Sequence, residues 1–165
     1  MSEKVVETVG MGELKVSRGP SAILMAHGLG SCVGLCAYDP VARVGGLLHL
    51  MLPDSNDSVA SDGNHARYAN TGIVALMKEM EIKGARPDRI WFKAAGGACI
   101  LLSPSASDKF RIGERNVKAV EEELTKYGTK LIAKDLGGNF GRTLEMHLDT
   151  GRVIVKAFGR GTTEL

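Results

Sequence analysis

Long apolar runs, clusters of basic residues and aromatic side chains are all scarce in this sequence, in which aromatic residues make up only 5%. No apolar stretch approaches the roughly 20 residues that a membrane-spanning helix needs, so we expect no insertion into a membrane. The formal net charge is only +2 and no run of lysine and arginine forms a patch, so nucleic-acid binding is not expected. The first residues lack the apolar centre of a signal peptide, and we expect a cytoplasmic protein.

Cysteine is also rare, with three residues in a chain of 165. An odd number cannot pair completely within one chain, so we expect free thiols in a reducing compartment. Disulfides are not needed for stability, because a chain of this length can bury a sizeable core. The sequence shows no internal repeat and no linker. Residues 1–165 are therefore expected to form one domain, with a loose polar tail over residues 159–165.

What the sequence does contain is a series of short strand-like segments and two helical patterns. Apolar residues recur at helical spacing over residues 66–83 and 117–127, and a glycine follows each pattern. The segments that favour strands lie at residues 5–9, 13–17, 21–27, 32–38, 43–52, 89–95, 130–136, 143–148 and 152–158. Because strands and helices do not alternate regularly, we expect an α/β fold with a mixed, mostly antiparallel sheet and two main helices.

One stretch, residues 26–32, carries the strongest indication of chemistry. An apolar segment enters a turn with glycines at 28 and 30, and Cys32 stands where the next strand begins. The glycines leave backbone N–H groups uncovered, so Gly30, Ser31 and Cys32 are candidates for stabilising an oxyanion. A nucleophile needs a thiol beside such donors, although a buried and inert cysteine next to a tight turn is the commoner arrangement.

A histidine lies in the second arm of the predicted hairpin. If residues 39–42 form the loop, Tyr38 faces Arg43, and the same register places Cys32 directly opposite His49. Directly opposed residues have Cβ atoms about 4.5–5.5 Å apart, whereas a slip of one residue would put them on different faces. We therefore predict a Cys32–His49 pair in which His49 is a general base and the Cys32 pKa is lowered. The alternative is a core histidine bonded to a backbone carbonyl.

Two other interpretations of these motifs are weaker. Cys32, Cys36 and His49 could ligate zinc, but a structural site needs a fourth ligand and the spacing matches no common zinc pattern. The glycines of residues 137–141 could cradle a phosphate, but they lack the lysine and hydroxyl residues of a P-loop. We therefore expect neither a metal nor a cofactor.

Six ordered blocks carry a resemblance to a known family. They are Gly28-Leu-Gly-Ser-Cys32-Val, Tyr38-Asp-Pro40, His49-Leu-Met-Leu-Pro-Asp-Ser55, Ala95-Gly-Gly-Ala98, Ile112-Gly-Glu-Arg-Asn116 and Asp135-Leu-Gly-Gly-Asn-Phe-Gly-Arg142. These blocks extend over nearly the whole chain, and through them the sequence resembles the bacterial and archaeal CheD family of chemotaxis proteins.

The resemblance implies an α/β sandwich that deamidates selected glutamine side chains of methyl-accepting chemotaxis receptors to glutamate. It places the family's catalytic cysteine on Cys32 and its histidine on His49, and so implies a Cys32 thioester. It also implies a second partner, a CheC-type phosphatase. The alternative is a module that keeps the fold and binds receptors or such a phosphatase without turnover.

One position departs from the family pattern. The family commonly has a catalytic threonine where this sequence has Ala26, and alanine cannot form a side-chain hydrogen bond. Another group, such as a backbone carbonyl, must then orient His49, or activity is reduced. His27 is adjacent in sequence, but strand alternation is expected to point it to the other face of the sheet.

Overall fold

The computed structural model describes residues 3–57, 63–100, 105, 107 and 111–165. Within these residues the chain forms ten strands and two α-helices. The strands are β1 (Val5–Thr8), β2 (Leu14–Arg18), β3 (Ala22–Leu29), β4 (Val33–Asp39), β5 (Val44–Leu50), β6 (Trp91–Gly96), β7 (Leu131–Leu136), β8 (Arg142–His147), β9 (Arg152–Ala157) and β10 (Gly161–Glu164). The helices are α1 (Ala69–Ile82) and α2 (Ile112–Lys126). The sequence also favours loops over residues 53–64 and 100–109, parts of which lie outside the described residues.

The strands form two five-stranded sheets. Sheet A has the order β1-β3-β8-β9-β10, and sheet B has the order β2-β5-β4-β6-β7. Strands β1 and β3 are parallel, as are β6 and β7, and the other neighbours are antiparallel. The expected mixed and mostly antiparallel α/β architecture is therefore confirmed, although the strands are divided between two sheets.

The sandwich consists of sheet A, sheet B and the two helices, and two apolar layers hold these three parts together. One layer joins the outer face of sheet B to α1 and α2, and the other lies between the two sheets. Strands β4 and β5 are buried along their whole length, because one face of each contacts the helices and the other contacts sheet A. Functional side chains on the inner face of β4 and β5 are thereby shielded from bulk water.

Both helices end where the sequence predicts. Gly84 follows α1 with a φ of 102°, and Gly128 follows α2 with a φ of 72°. This left-handed conformation favours glycine and lets the last turn of each helix close. Among the described residues, neither helix is long and apolar enough to cross a membrane.

The loop of the β4–β5 hairpin differs from the prediction by one residue. Asp39 pairs with Val44, so the loop consists of residues 40–43. The Asp39 carboxylate accepts hydrogen bonds from the N–H groups of Val41, at 2.9 Å, and Ala42, at 3.1 Å. Arg43 closes the loop with a φ of 53°, an uncommon conformation for a residue other than glycine.

The shifted loop changes the register of the whole hairpin by two residues. Gly34 lies opposite His49, whereas the prediction placed Cys32 there. A shift of two residues preserves the face of each side chain, because side chains alternate with a period of two. Cys32 and His49 are therefore diagonal neighbours on the inner face of sheet B.

The segment over residues 159–165 is not the loose tail that the sequence predicts. It contains β10, which pairs with β9, and the Arg152 guanidinium forms two hydrogen bonds of 2.9 Å with the Glu164 carboxylate. The N–H of Leu165 donates to Val153, and the Lys93 ammonium donates to the Leu165 carbonyl oxygen at 2.7 Å. Ordinary strand pairing thus orders a segment whose polar composition suggested a free end.

Candidate functional site

Cys32 lies where the chain enters β4, between the two sheets, and only 7% of the residue is exposed. The turn before it is held by β6 and the residues that follow. The N–H of Gly97 donates to the Cys32 carbonyl oxygen, and the N–H of Ala98 donates to that of Gly30, both at 2.8 Å. Gly96 has a φ of 112°, and a Cβ at this position would lie 2.2 Å from the Cys32 carbonyl oxygen. Only glycine allows this close approach.

His49 is held at its backbone and at its ring. Its N–H donates to the Glu13 carbonyl oxygen at 2.9 Å, and its own carbonyl oxygen accepts from the Gly12 N–H at 2.8 Å. Ring atom Nδ1 lies 3.0 Å from the Val9 carbonyl oxygen. Val9 is itself fixed, because its N–H donates to the carbonyl oxygen of Met25 in β3. The segment between β1 and β2 therefore orients the imidazole.

This contact determines which ring nitrogen can act as a base. A carbonyl oxygen only accepts hydrogen bonds, so Nδ1 carries the proton and Nε2 has the free lone pair in the neutral ring. Nε2 is buried and has no hydrogen-bond partner within the described ranges. Burial lowers the pKa of His49, although the bond to Val9 and the charge of Glu13 oppose this effect. The imidazole is therefore neutral at neutral pH.

The Cys32 thiol behaves differently from the prediction. Burial raises its pKa above the ordinary value, and the hydrogen bond from its own backbone N–H only partly offsets the rise. The expected lowering assumed a protonated imidazole directly opposite the sulfur. His49 is instead neutral and diagonal to Cys32, so the resting state is a thiol beside a neutral base.

Ala26 and His27 lie on opposite sides of sheet A, as predicted. Ala26 is wholly buried in the layer between the sheets, whereas His27 is exposed. The ring of His49 takes its orientation from the Val9 carbonyl and needs no side chain at position 26 for it. The group that orients His49 is therefore a backbone carbonyl, which is one of the possibilities that the sequence left undecided.

Two of the three candidate oxyanion donors belong to residues that reach the surface, whereas Cys32 is buried. Ser31 is exposed and Gly30 is half-buried. In the described part of the chain, no backbone carbonyl accepts a hydrogen bond from the N–H of Gly30, Ser31 or Cys32. These three donors stay candidates for binding a developing negative charge.

Asn116 is a site residue to which the sequence analysis gave no role. It is wholly buried, and its Nδ2 donates to the carbonyl oxygens of Ser31, at 2.8 Å, and Met51, at 2.9 Å. A detectable signal existed, because Asn116 is the polar member of an otherwise apolar buried face of α2. A buried polar side chain requires partners, and here the partners flank the two candidate catalytic residues.

The other two cysteines are less suited to nucleophilic chemistry. Cys36 shares the inner face of β4 but is wholly buried, and burial raises the pKa of its thiol to about 12. Cys99 is half-buried in the turn after β6. Among the described residues, no group of three or more histidine, cysteine or acidic side chains is arranged to hold a metal ion.

Two surface cavities flank α2, with volumes of about 700 and 570 Å³. The larger one is lined mainly by charged residues of α2, and the smaller one reaches Gly97, whose N–H binds the Cys32 carbonyl oxygen. Neither cavity is lined by Cys32 or His49 themselves.

The fold and this geometry together define a class. It is an α/β sandwich whose buried hairpin carries a thiol and an oriented, neutral histidine on one face.

Comparison with known proteins identifies the family. A family model described as CheD chemotactic sensory transduction matches residues 51–157. The probable chemoreceptor glutamine deamidase CheD of Symbiobacterium thermophilum is 44% identical over 165 residues, 100% of each chain. The protein of the same name from Caldanaerobacter subterraneus subsp. tengcongensis is 47% identical over 161 residues, 98% of each chain. The chemoreceptor glutamine deamidase CheD of Thermotoga maritima is 41% identical over 155 residues, 94% of each chain. The chain belongs to the CheD family.

Proposed function

We propose that this protein hydrolyses the side-chain amide of selected glutamines in methyl-accepting chemotaxis receptors, with Cys32 as nucleophile and His49 as general base and acid. The observation that carries the proposal is the buried Nε2 of His49, which lacks a partner within the described ranges while Val9 fixes the ring. Family membership supports the substrate class, because the curated relatives are named chemoreceptor glutamine deamidases.

The reaction begins with a proton transfer that accompanies attack. Nε2 of His49 takes the Sγ proton of Cys32 while the sulfur bonds to the amide carbon of the substrate glutamine. The resulting oxyanion is stabilised by N–H groups of Gly30, Ser31 and Cys32. The protonated His49 then gives its proton to the amide nitrogen, the carbon–nitrogen bond breaks, and ammonia leaves a Cys32 thioester.

Water completes the cycle. His49 removes a proton from a water molecule whose oxygen attacks the thioester carbon, and the carbon–sulfur bond breaks. The proton returns to Sγ, the product is a glutamate side chain, and the thiol and the neutral imidazole are restored. The same nitrogen thus acts as base and acid in both halves of the reaction, which is why a neutral resting His49 suits the mechanism.

The diagonal arrangement requires the two side chains to lean toward each other. Diagonal neighbours on one face have Cβ atoms about 7–8 Å apart or somewhat less, and His49 Nε2 accepts no hydrogen bond from Cys32 in the structure. Gly34, directly opposite His49, has no side chain of its own, and the Leu144 and Leu29 side chains pack over it. Catalytic hydrogen bonds are often long in free enzymes and shorten when substrate binds.

Partners and location extend the proposal. We assign the protein to the cytoplasm, where a reducing environment suits the unpaired thiols Cys32, Cys36 and Cys99. A CheC-type phosphatase is a second partner through the resemblance of the sequence to the family. Purified phosphatase of this type is expected to bind the protein and to slow deamidation of a receptor fragment in the same assay.

A second candidate function is receptor binding without turnover. Two observations favour it, the alanine at position 26 and the raised pKa of the Cys32 thiol. In that case the protein would bind a receptor fragment and leave its glutamines unchanged.

Intact-mass analysis of a receptor cytoplasmic fragment separates the two functions. Deamidation increases the mass slightly because a hydroxyl replaces an amino group, and peptide mapping locates the altered residue. We expect conversion by the wild type and by Cys99→Ala, and none by Cys32→Ala or His49→Ala. Full conversion by Cys32→Ala would exclude the thioester. Binding without conversion by the wild type on several receptors would support the binding module.

A further inference from the structure

We infer that Asn116 positions the Cys32–His49 pair by joining the two chain segments that carry it. Its single Nδ2 group donates to the carbonyl oxygen of Ser31, the residue before Cys32, and to that of Met51, two residues after His49. Both partners are acceptors, so only one orientation of the carboxamide satisfies them. The remaining atom, Oδ1, is buried and has no hydrogen-bond partner within the described residues.

Asn116 replaces a missing step of the β ladder. The pairing of β4 with β5 ends at Val33 and Leu50, so the next hydrogen-bonded pair of the ladder would be Ser31 and Leu52. The N–H of Leu52 donates instead to the Arg67 carbonyl oxygen, at 3.0 Å. The hairpin therefore opens at the position of the nucleophile, and one side chain from α2 spans the opening.

The contact with Ser31 also sets the direction of a candidate oxyanion donor. The Ser31–Cys32 peptide is planar and trans, so the Ser31 carbonyl and the Cys32 N–H point in opposite directions. When Asn116 holds the carbonyl toward α2, the Cys32 N–H points away from the helix. If this hydrogen bond is lost, the Ser31–Cys32 peptide is free to rotate. The rotation changes the direction of the Cys32 N–H and the direction of the Cα–Cβ bond of Cys32.

The helix is itself fixed close to the site. A Cβ at Gly113 would lie 2.6 Å from the Gly97 carbonyl oxygen and 2.4 Å from that of Ala98. These two residues donate to Cys32 and Gly30, as described above. The first turn of α2 thus contacts Gly97 and Ala98, which hold the turn around Cys32. Asn116 lies almost one turn further along the same helix, so its position is fixed as well.

Three variants of Asn116 separate positioning from ordinary stability. Asn116→Ala removes the donor, Asn116→Leu keeps the branching of the side chain without a donor, and Asn116→Gln keeps the donor at a different reach. Val120→Ala is the matched control. Val120 is wholly buried on the same face of α2, one turn further on, and packs in the apolar layer between helix and sheet.

Two measurements carry the test. Deamidation of a receptor fragment gives kcat and KM, and this measurement rests on the proposed function. Alkylation of Cys32 by iodoacetamide across a pH series, with Cys99 as internal reference, does not rest on it. We expect Asn116→Ala and Asn116→Leu to lower kcat by about tenfold or more with little change in KM, since reacting groups lose their alignment. We also expect slower labelling of Cys32 and unchanged labelling of Cys99.

The control variants decide the interpretation. Val120→Ala is expected to lower the melting temperature and to leave kcat and the Cys32 labelling profile like the wild type, while Asn116→Gln recovers part of kcat. The inference is wrong if the Asn116 variants and Val120→Ala lower kcat equally and label Cys32 like the wild type. If the wild type itself deamidates no fragment, the proposed function fails, and the labelling profile alone decides on Asn116.

Discussion

Nδ1 of His49 donates its hydrogen bond to the backbone carbonyl of Val9, at 3.0 Å. The bond joins the two sheets, because Val9 follows β1 of sheet A and His49 lies in β5 of sheet B. A main-chain acceptor cannot be removed by substitution at its own position. The orientation of the His49 ring therefore does not rely on the side chain that the family pattern expects at position 26.

A hydroxyl at position 26 should bring no gain in activity. We expect Ala26→Thr to deamidate a receptor fragment at a rate within about twofold of the wild type, because Val9 already fixes the tautomer of His49. The variant should unfold at a lower temperature, since Ala26 is wholly buried and an unpaired hydroxyl there costs about 1–3 kcal/mol.

The matched control for this variant is Ala26→Val, which has nearly the same shape as threonine but no hydroxyl. If Ala26→Thr is at least about tenfold faster than Ala26→Val, a difference of about 1.4 kcal/mol in barrier, the hydroxyl orients His49 better than Val9 does. That result would contradict the role assigned to the Val9 carbonyl.

The deamidation rate and the alkylation rate of Cys32 should depend on pH in different ways. His49 acts as a base when neutral, and burial lowers its pKa below the ordinary 6.5, so the acidic fall in the deamidation rate should have its midpoint below pH 6.5. Burial raises the pKa of Cys32 above 9.0, so its direct alkylation should keep rising with pH beyond that value. A pH series of both rates checks this. An alkylation plateau near pH 7 would instead indicate a thiolate–imidazolium pair.

Asp39 should stabilise the hairpin that carries the site, and this contribution should depend on pH. Burial opposes its ionisation, but hydrogen bonds from the Arg86 N–H and the Arg89 guanidinium, among others, lower its pKa to about 2. The ordinary value is 3.8, so the stabilisation is complete above pH 3.8 and is lost as the pH falls toward 2.

Thermal unfolding of Asp39→Asn tests this contribution. We expect a loss of about 1–3 kcal/mol at pH 7, because bonds from charged and backbone donors to a carboxylate are weakened, and a smaller difference from the wild type near pH 2. Asp88→Asn is the control, since its ion pair with Arg86 is exposed and should contribute about 0–1 kcal/mol. Equal losses in both variants, or a loss that does not change with pH, would contradict the role of Asp39.

The sequence was sufficient to place Cys32 and His49 on one face of one hairpin. Alternation with a period of two survives an error of two residues in register, which is why the face was right and the pairing was wrong. The exact register depended on the Asp39 cap and on the left-handed Arg43. Arg43 has no sequence signature for this role, because arginine rarely adopts that conformation.

Other features of the site arise from contacts between residues far apart in the chain. The acceptor for His49 is a backbone carbonyl 40 residues earlier in the chain. Because every residue type has such a carbonyl, no sequence motif can predict this contact. The division into two sheets has the same origin, since it depends on which strands pair. Asn116 was the exception, because a lone amide on a buried helical face indicates an unmet need for partners.

The closest backbone approach in the site should also be the least tolerant position. Gly96 and Gly19 both have a φ of 102° to 112°, so alanine is strained at either, but only at Gly96 would its Cβ meet another atom, the Cys32 carbonyl oxygen at 2.2 Å. We expect Gly96→Ala to lose deamidase activity and to lower the melting temperature more than Gly19→Ala, because the turn must move and the Gly97–Cys32 hydrogen bond must break. Activity assays and thermal unfolding of the two variants measure the difference. If Gly96→Ala is as active and as stable as Gly19→Ala, the hydrogen bond from Gly97 to the Cys32 carbonyl does not determine the position of Cys32.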